Sequence, residues 1–406
     1  MLNGVGYERT VIERDPKRIE ECDNEKHVIT YLIYNENATI TDLSKSMNLS
    51  IPTVTKVIDE MHEEGYIDEY GKLETSGGRH PILYGLNADS GYFIGVDLKW
   101  DSLNIGIINF KGDLLKLQMG IPFQKENTMD CVEELCKQIE LFIEHLTIQK
   151  EKIMNINISI GGRVNPELGY CHSFFNFGER PIADILTERM NIDVSIENDS
   201  RTMLYGEYIK GAVKGAQNVL FINVGWGLGM SMLIEGKMYK GKSGFSGEFG
   251  HNHGYDNQKI CHCGKKGCLE TEISCSALYH SFIDHLKAGE TSIILAEKTI
   301  DEITLDDIFN AINREDLLAI ELVEDIGEQL GLNIGKLINI FNPDKVIIGG
   351  EMSRAGDFLL QPVISAVRKY TLSLMSRDSE IVLSKLKDQA GVIGACLLSR
   401  SKLFDA

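Results

Sequence analysis

Apolar residues near the start of the chain recur at helical spacing and then give way to alternation. In "NEKHVITYLIYNE", Val28, Leu32 and Ile33 fall at helical spacing, with Tyr31 alongside. Leu43 and Met47 repeat the pattern in a second segment, and Val54, Ile58 and Met61 in a third. Between those two, "MNLS" predicts a tight turn. Asn48 tolerates a left-handed backbone, Ser50 is a natural N-cap, and Pro52 falls in the first helical turn, where its missing N–H costs nothing. After Gly65, "YIDEYGKLETSGGRHPILYGLN" reads as two short strand-like runs around a turn. These pieces predict a winged helix-turn-helix over residues 21–88, preceded by an N-terminal arm at 1–20.

From about residue 91 the grammar changes to strands alternating with helices. "YFIGVDLKWDSLNIGIINFKGDLL" predicts two strands and a turn at Lys111-Gly112, "MDCVEELCKQIELFIEHL" a helix, and "KIMNINISIGG" a buried strand ending in glycines. "SIEND" ends another strand, with a helix following over "SRTMLYGEYIKG". "NVLFINVGWGLGMSMLIEGKMYKG" is strand, glycine turn and strand, and "EDIGEQLGLNIGKLINIFNPDKVIIGGEMS" is a long helix feeding a strand. Strand, glycine turn and strand with crossing helices, in both halves, predict a two-lobed α/β domain over 89–406 with a cleft between its lobes.

A length of 406 residues fits such a division, being too long for one core. With 43% hydrophobic and 25% charged residues, the composition is that of a globular protein. No apolar run reaches the ~18 residues of a membrane span, and the N-terminus lacks a signal-peptide pattern. The expectation is a cytoplasmic protein with no membrane partner. The net charge of −19 disfavours indiscriminate polyanion binding.

Nine cysteines in a chain of this kind argue against a disulfide framework. Three of them, Cys261, Cys263 and Cys268, crowd one glycine-studded loop, with His251 ten residues before the first. Three thiolates and an imidazole make a closed tetrahedral zinc set. Gly264 and Gly267 free the backbone between ligands, and Lys265 and Lys266 offset the thiolate charge. His253 and His262 are rival imidazole donors. With all four positions filled by protein, the metal is expected to be structural.

These residues carry a resemblance. "GFSGEFGHNHGYDNQKICHCGKKGCLET" resembles the signature of the ROK family, which groups sugar-responsive repressors and sugar kinases. The resemblance extends through "GGRVNPELGYCHSFFNFGERPIADILTERMNIDVSIENDSRTMLYGE" and "NPDKVIIGGEMSRAGDF". It implies an actin-like (ribonuclease H-like, sugar kinase-type) architecture, with zinc on His251, Cys261, Cys263 and Cys268. It also implies that a bound sugar meets Asn198, Asp199, Glu248, His251 and Glu270, with Asn176 and the Gly161-Gly162 turn lining the pocket. Carboxylates and an amide at loop ends suit a ring of hydroxyls that both donate and accept. The zinc loop would then join Glu248 and His251 to Glu270 and hold the site in shape.

A kinase of this family is expected to carry a D-x-G-G-T phosphate loop. Here the stretch is "GVDLKWDSLN": Asp97 remains, and Lys99, Trp100 and Asp101 stand at the glycine and threonine positions. The second loop, usually G-T-G-x-G, reads Gly225-Trp226-Gly227-Leu228-Gly229, so both tryptophans of the chain fall where phosphates would lie. Asp199 would be the general base of a kinase. The winged helix, absent from family kinases, would present Pro52, Thr53, Thr55 and Lys56 to operator DNA, with Arg79 in the "SGGRHP" wing. Against strong binding, residues 1–90 hold nine Lys or Arg and seventeen Asp or Glu, a net of 9 − 17 = −8. The expectation is a sugar-responsive transcriptional repressor, working as a homodimer or dimer of dimers, with structural zinc, no nucleotide and no enzymatic activity. The alternative is a zinc-containing, ATP-dependent sugar kinase.

Overall fold

The computed structural model describes residues 16–73, 80–178 and 180–402. The chain opens with α1 (Pro16–Asn35), β1 (Asn37–Ala38), α2 (Ile40–Met47) and α3 (Ile51–Glu63), followed by β2 (Ile67–Lys72) and β3 (Ile82–Leu86). The three strands pair in the order β1-β3-β2. Local chemistry sets the boundaries. Thr39 and Asp42 cap α2 reciprocally, Asn48 ends it with φ of 52°, and the Ser50 side chain caps α3 by accepting the Thr53 N–H. Val28, Leu32, Leu43, Val54, Ile58 and Met61 are buried together, as their spacing predicts. The tip of the expected wing, with Gly77, Gly78 and Arg79, lies outside the described residues.

The first lobe begins with an antiparallel meander of β4 (Tyr92–Leu98), β5 (Ser102–Asn109) and β6 (Leu114–Pro122). After α4 (Met129–Glu144), β7 (Ile153–Ile160) pairs parallel to β4. The short hairpin β8 (Val164–Asn165) and β9 (Tyr170–Cys171) and helix α5 (Ile182–Met190) lead to β10 (Val194–Asn198), parallel to β7. Strand β6 is an addition to the pattern read from sequence. It is an edge strand whose side chains are mostly exposed, including Leu114 and Leu115, so no in–out alternation marks it.

Helix α6 (Asp199–Lys210) crosses to the second lobe, where β11 (Val219–Val224), β12 (Leu228–Ile234) and β13 (Lys237–Met238) form another antiparallel meander. Then come α7 (Cys275–Lys287), α8 (Leu305–Asn313), α9 (Leu317–Phe341), β14 (Lys345–Gly349), α10 (Asp357–Tyr370), α11 (Ser373–Asp378), β15 (Glu380–Leu383) and α12 (Ala390–Ser401). Strand orders β10-β7-β4-β5-β6 and β13-β12-β11-β14-β15 are one plan used twice. The turn after β4 and the turn after β11 are therefore equivalent, and each carries a tryptophan.

Helix α12 returns to the first lobe and lies on β4. Gly95 makes that close approach possible, since an added Cβ would come 2.8 Å from the Ala395 carbonyl carbon. The winged helix is not an independent bead. Its core is continuous with Phe93, Phe110, Tyr205 and Leu397 of β4, the β5–β6 turn, α6 and α12. Among the described residues no helix is long and apolar enough to cross a membrane.

Candidate functional site

Strand ends and turns of both lobes converge on a cleft of about 1620 Å³. Asn198 closes β10 and caps α6. Its Oδ1 accepts the Arg201 N–H at 3.2 Å, and its Nδ2 donates to the Gly162 carbonyl at 3.0 Å and to Asp199 Oδ1 at 2.9 Å. Gly162 has φ of +93°, a conformation few other residues adopt, and this turns its carbonyl toward that amide. Asp199 also accepts the Ser200 N–H at 2.8 Å and the Asn223 amide at 3.3 Å. Burial pushes its carboxyl above the usual range, with the Ser200 N–H and the Lys125 ammonium working against the shift. Beneath this pair Arg201 is buried; it donates to Glu197 at 2.8 Å and to the carbonyls of Gly244 and Val164. It thereby anchors the start of α6 to both lobes.

The opposite wall is the cysteine loop. The His251 ring lies between two groups: Nδ1 is 3.6 Å from Cys261 Sγ, and Nε2 is 3.6 Å from Glu248 Oε2. Cys263 Sγ and Cys268 Sγ are 3.6 Å apart. Donor atoms of His251, Cys261, Cys263 and Cys268 all lie within 4.8 Å of one another. A tetrahedron with zinc–sulfur bonds of ~2.3 Å has edges of roughly 3.8 Å, so the soft donor set fits one metal ion. Cys261, His262 and Glu270 form a second, overlapping group, whereas His253 reaches toward exposed Asp256, 3.8 Å away. Glu270 is buried. Its Oε2 accepts the Leu228 N–H at 2.9 Å and its Oε1 lies 2.8 Å from His262 Nδ1. Burial opposes its ionisation, but the hydrogen bonds from His262 and Leu228 prevail and hold the carboxyl below its ordinary value.

Of the residues expected around a sugar, Gly162, Asn198, Asp199, Glu248, His251 and Glu270 line this one cleft. Asn176 does not line it; it is exposed, with its N–H on Asn127 Oδ1 at 3.2 Å. Two features escaped the sequence reading. Lys125 reaches the cleft with its ammonium over the Phe174 ring, 4.0 Å from the centroid, and burial lowers its pKa. A lone lysine in a connecting loop carries no pattern that would mark it. Lys99 bonds Glu351 of the second lobe at 2.9 Å, a contact across the cleft between residues 252 apart in the chain.

Asp97 is buried beside Asn104 and Ser159, each 3.3 Å from its carboxylate. Burial, with Glu351 and Asp199 adding to it and Lys99 opposing it, raises its pKa to about 6. A folded-state pKa above the unfolded value means that ionisation destabilises the fold. The penalty is therefore absent below the unfolded pKa and complete above about 6. Replacement Asp97→Asn is expected to raise stability at pH 7.5 by up to about 3 kcal/mol. It should also flatten the stability profile between pH 4 and 6, as read by denaturant melts at several pH values.

The exposed side of α3 carries Ile51, Pro52, Thr53 and Lys56, with Thr55 half-buried. Both threonine hydroxyls are engaged locally: Thr53 Oγ1 with Ser50 Oγ at 2.7 Å, and Thr55 Oγ1 on the Ile51 carbonyl at 2.8 Å. Lys56 lies 3.4 Å from Glu60 one turn on, in an exposed pair that a phosphate could displace at little cost.

A DNA-binding type of head joined to an actin-like, sugar kinase-type α/β domain defines the class of protein. The chain belongs to the ROK family, whose model matches residues 93–402, and a MarR family model matches residues 23–71 of the head. The xylose repressor of Caldicellulosiruptor bescii is 30% identical over 94% of this chain and 96% of its own length. The DNA-binding transcriptional dual regulator NagC of Escherichia coli K12 is 27% identical over 89% of this chain and 88% of its own. A crystal structure of a ROK family transcriptional regulator, described as a homologue of the E. coli MLC protein, superposes with a TM-score of 0.80. It is 26% identical and covers 95% of this chain and 97% of that one.

Proposed function

We infer that the chain is a sugar-responsive transcriptional repressor that binds operator DNA through α3 and senses a sugar in the interlobe cleft. The observation that carries this reading is the convergence of Asn198, Asp199, Glu248, His251 and Glu270 on a cleft whose first lobe is packed against a winged helix. Relatives named as a xylose repressor and as a DNA-binding transcriptional dual regulator, matched along 96% and 88% of their lengths, support it.

In this reading α3 enters the major groove with Pro52, Thr53, Thr55 and Lys56, and Arg79 reaches the adjacent minor groove. With their hydroxyls engaged inside the helix, the threonines offer methyl groups, which read thymine. Few cations face a strongly acidic head, so affinity comes from two heads in a homodimer or dimer of dimers on a two-fold operator. Zinc on His251, Cys261, Cys263 and Cys268 is structural. It would hold His251 through Nδ1 and leave Nε2 toward Glu248, the carboxylate–imidazole–metal arrangement that fixes a ring. Sugar bridging Asp199 in the first lobe and Glu270 in the second would close the cleft and turn α6. Differential affinity of the two states then releases DNA. Trp100 and Trp226 occupy the turns that would approach nucleotide phosphates, so the chain is read as a non-enzyme in the cytoplasm.

Fluorescence anisotropy with DNA from upstream of the chain's own gene, at two salt concentrations and with a panel of sugars, tests this. The expected result is saturable specific binding that one sugar weakens, with a shallow salt dependence. Absence of binding in any salt, with ADP release from ATP and a hexose, would favour the kinase reading and Asp199 as its base.

A further inference from the structure

The two tryptophans of the chain form one structure. Trp100, in the turn after β4, and Trp226, in the equivalent turn after β11, stack across the cleft with ring centroids 5.5 Å apart and an interplanar angle of 13°. Trp226 is backed by Tyr279 and His280, at 6.1 and 6.4 Å. The Lys99–Glu351 ion pair, largely buried, lies beside Trp100 and pins the same turn to the second lobe. Trp100 is thus held from behind and from one side, yet it is 54% exposed. A large, rigid aromatic face left open inside a polar cleft is a feature that a ligand can cover.

We propose that this face is a second sugar subsite and that the effector is a disaccharide. The proposal rests on the sugar-sensor reading above and specifies its ligand. Three observations carry it. The cleft, at about 1620 Å³, exceeds the ~300–1,000 Å³ usual for small-ligand sites, so one pyranose leaves most of it empty. The aromatic pair adjoins the first site: an added Cβ on Gly227 would lie 2.6 Å from Glu270 Oε2, and Leu228 donates to that same oxygen. Adjacent Cα atoms are ~3.8 Å apart, so Trp226 begins about one sugar ring away from Glu270. The cleft also carries polar groups of the kind a sugar needs: His280 lies against Trp226, and Asp388 and the paired Arg354 and Asp306 line the same cleft, offering donors and acceptors to hydroxyls. A pyranose presents an apolar C–H face and a polar rim, and this region presents an aromatic face with a polar rim. Phosphates would instead meet the indoles and the Asp388 carboxylate, while the cations Lys99 and Arg354 of the same cleft are already paired with Glu351 and Asp306.

Because no other tryptophan is present, tryptophan emission excited apart from that of the fourteen tyrosines reports on this aromatic pair. Calorimetry and fluorescence would be run together on the zinc-loaded full chain. The probes are glucose, xylose and N-acetylglucosamine, against cellobiose, xylobiose, N,N′-diacetylchitobiose and maltose. The expected result is that one disaccharide binds at least about tenfold more tightly than its own monosaccharide and shifts the tryptophan emission. Trp100→Ala, at an exposed position that leaves folding intact, should remove about that tenfold advantage and leave monosaccharide affinity unchanged. A monosaccharide binding as tightly as its disaccharide, or a disaccharide advantage that survives Trp100→Ala, would overturn the subsite while leaving the sensor in place. Heat and emission changes with a non-hydrolysable ATP analogue would overturn it in favour of a nucleotide. If no sugar binds by calorimetry, the sensor reading itself fails, and the subsite with it.

Discussion

A Cys268→Ser chain is expected to lose at least a hundredfold in zinc affinity and about tenfold or more in sugar affinity, with its fold otherwise intact. The basis is how little else holds the loop. Between Asn252 and Cys268 the order comes from two isolated bridges, His253 with Cys268 and Ile260 with Lys266, a few backbone bonds, and mostly exposed side-chain bonds such as those of Asn257 and Lys259 to Glu272 and of Tyr255 to Gln329. Ile260 is 70% exposed, and the buried side chains at the cluster are Cys261 and Cys268 themselves. Such a segment buries too little apolar surface to offset its ordering entropy, and a bound ion supplies the difference. Immediately beyond the loop, Leu269 and Ile273 enter the second-lobe core, which contains none of the four cluster residues. Loss therefore falls on His251 and Glu248, and on Glu270 through His262. Metal content by mass spectrometry, calorimetry with the effector and a thermal melt read the three effects separately. Zinc lost without change in sugar affinity would show that the loop does not shape the site.

The head and the strand plan are legible in the sequence because each rests on short-range chemistry. Asn48, Ser50 and Pro52 mark a turn by their own backbone preferences, and Val54, Ile58 and Met61 mark a face by spacing alone. The converging polar residues are legible because Asn198 and Asp199 sit where a strand ends and a helix opens, and Glu248, His251 and Glu270 flank the cysteine loop, where motifs are compact. What escapes is long-range. Lys99 meets Glu351, and Trp100 meets Trp226, only because two copies of one strand plan face each other. No local pattern encodes that symmetry. Asn176 shows the reverse error. A polar residue among aromatics in "FFNF" is a reasonable pocket residue by position, but Phe175, with φ of 54°, turns the chain so that Ser173 and Phe174 face the cleft instead.

The second large effect is expected at a residue that touches neither sugar nor DNA. Helix α6 starts in the cleft with Asp199 and runs beneath the head, where Tyr205 shares side-chain hydrogen bonds with Tyr34 of α1 and Ser401 of α12. Tyr208 meets the Tyr34 ring edge-on at 6.3 Å and lies 6.4 Å from Tyr205. Arg201 ties the start of the helix to both lobes. At its far end, buried Glu207 accepts from Ser384 Oγ at 2.6 Å and the Leu386 N–H at 2.8 Å, next to α12. A short helix is stiff along its axis, so a displacement at Asp199 is carried toward Tyr34. Tyr34→Ala should leave sugar affinity within about twofold and operator affinity without sugar within a few-fold, because the head core built on Val28, Leu32 and Leu43 does not include it. What it should remove is the coupling, whose usual size is about 5–150-fold. The ratio of operator dissociation constants with and without sugar would fall toward one, and Tyr34→Phe, which keeps the ring contact with Tyr208, would retain most of it. Coupling that survives in Tyr34→Ala would place the signal elsewhere, in α12 or in the spacing of the heads between protomers.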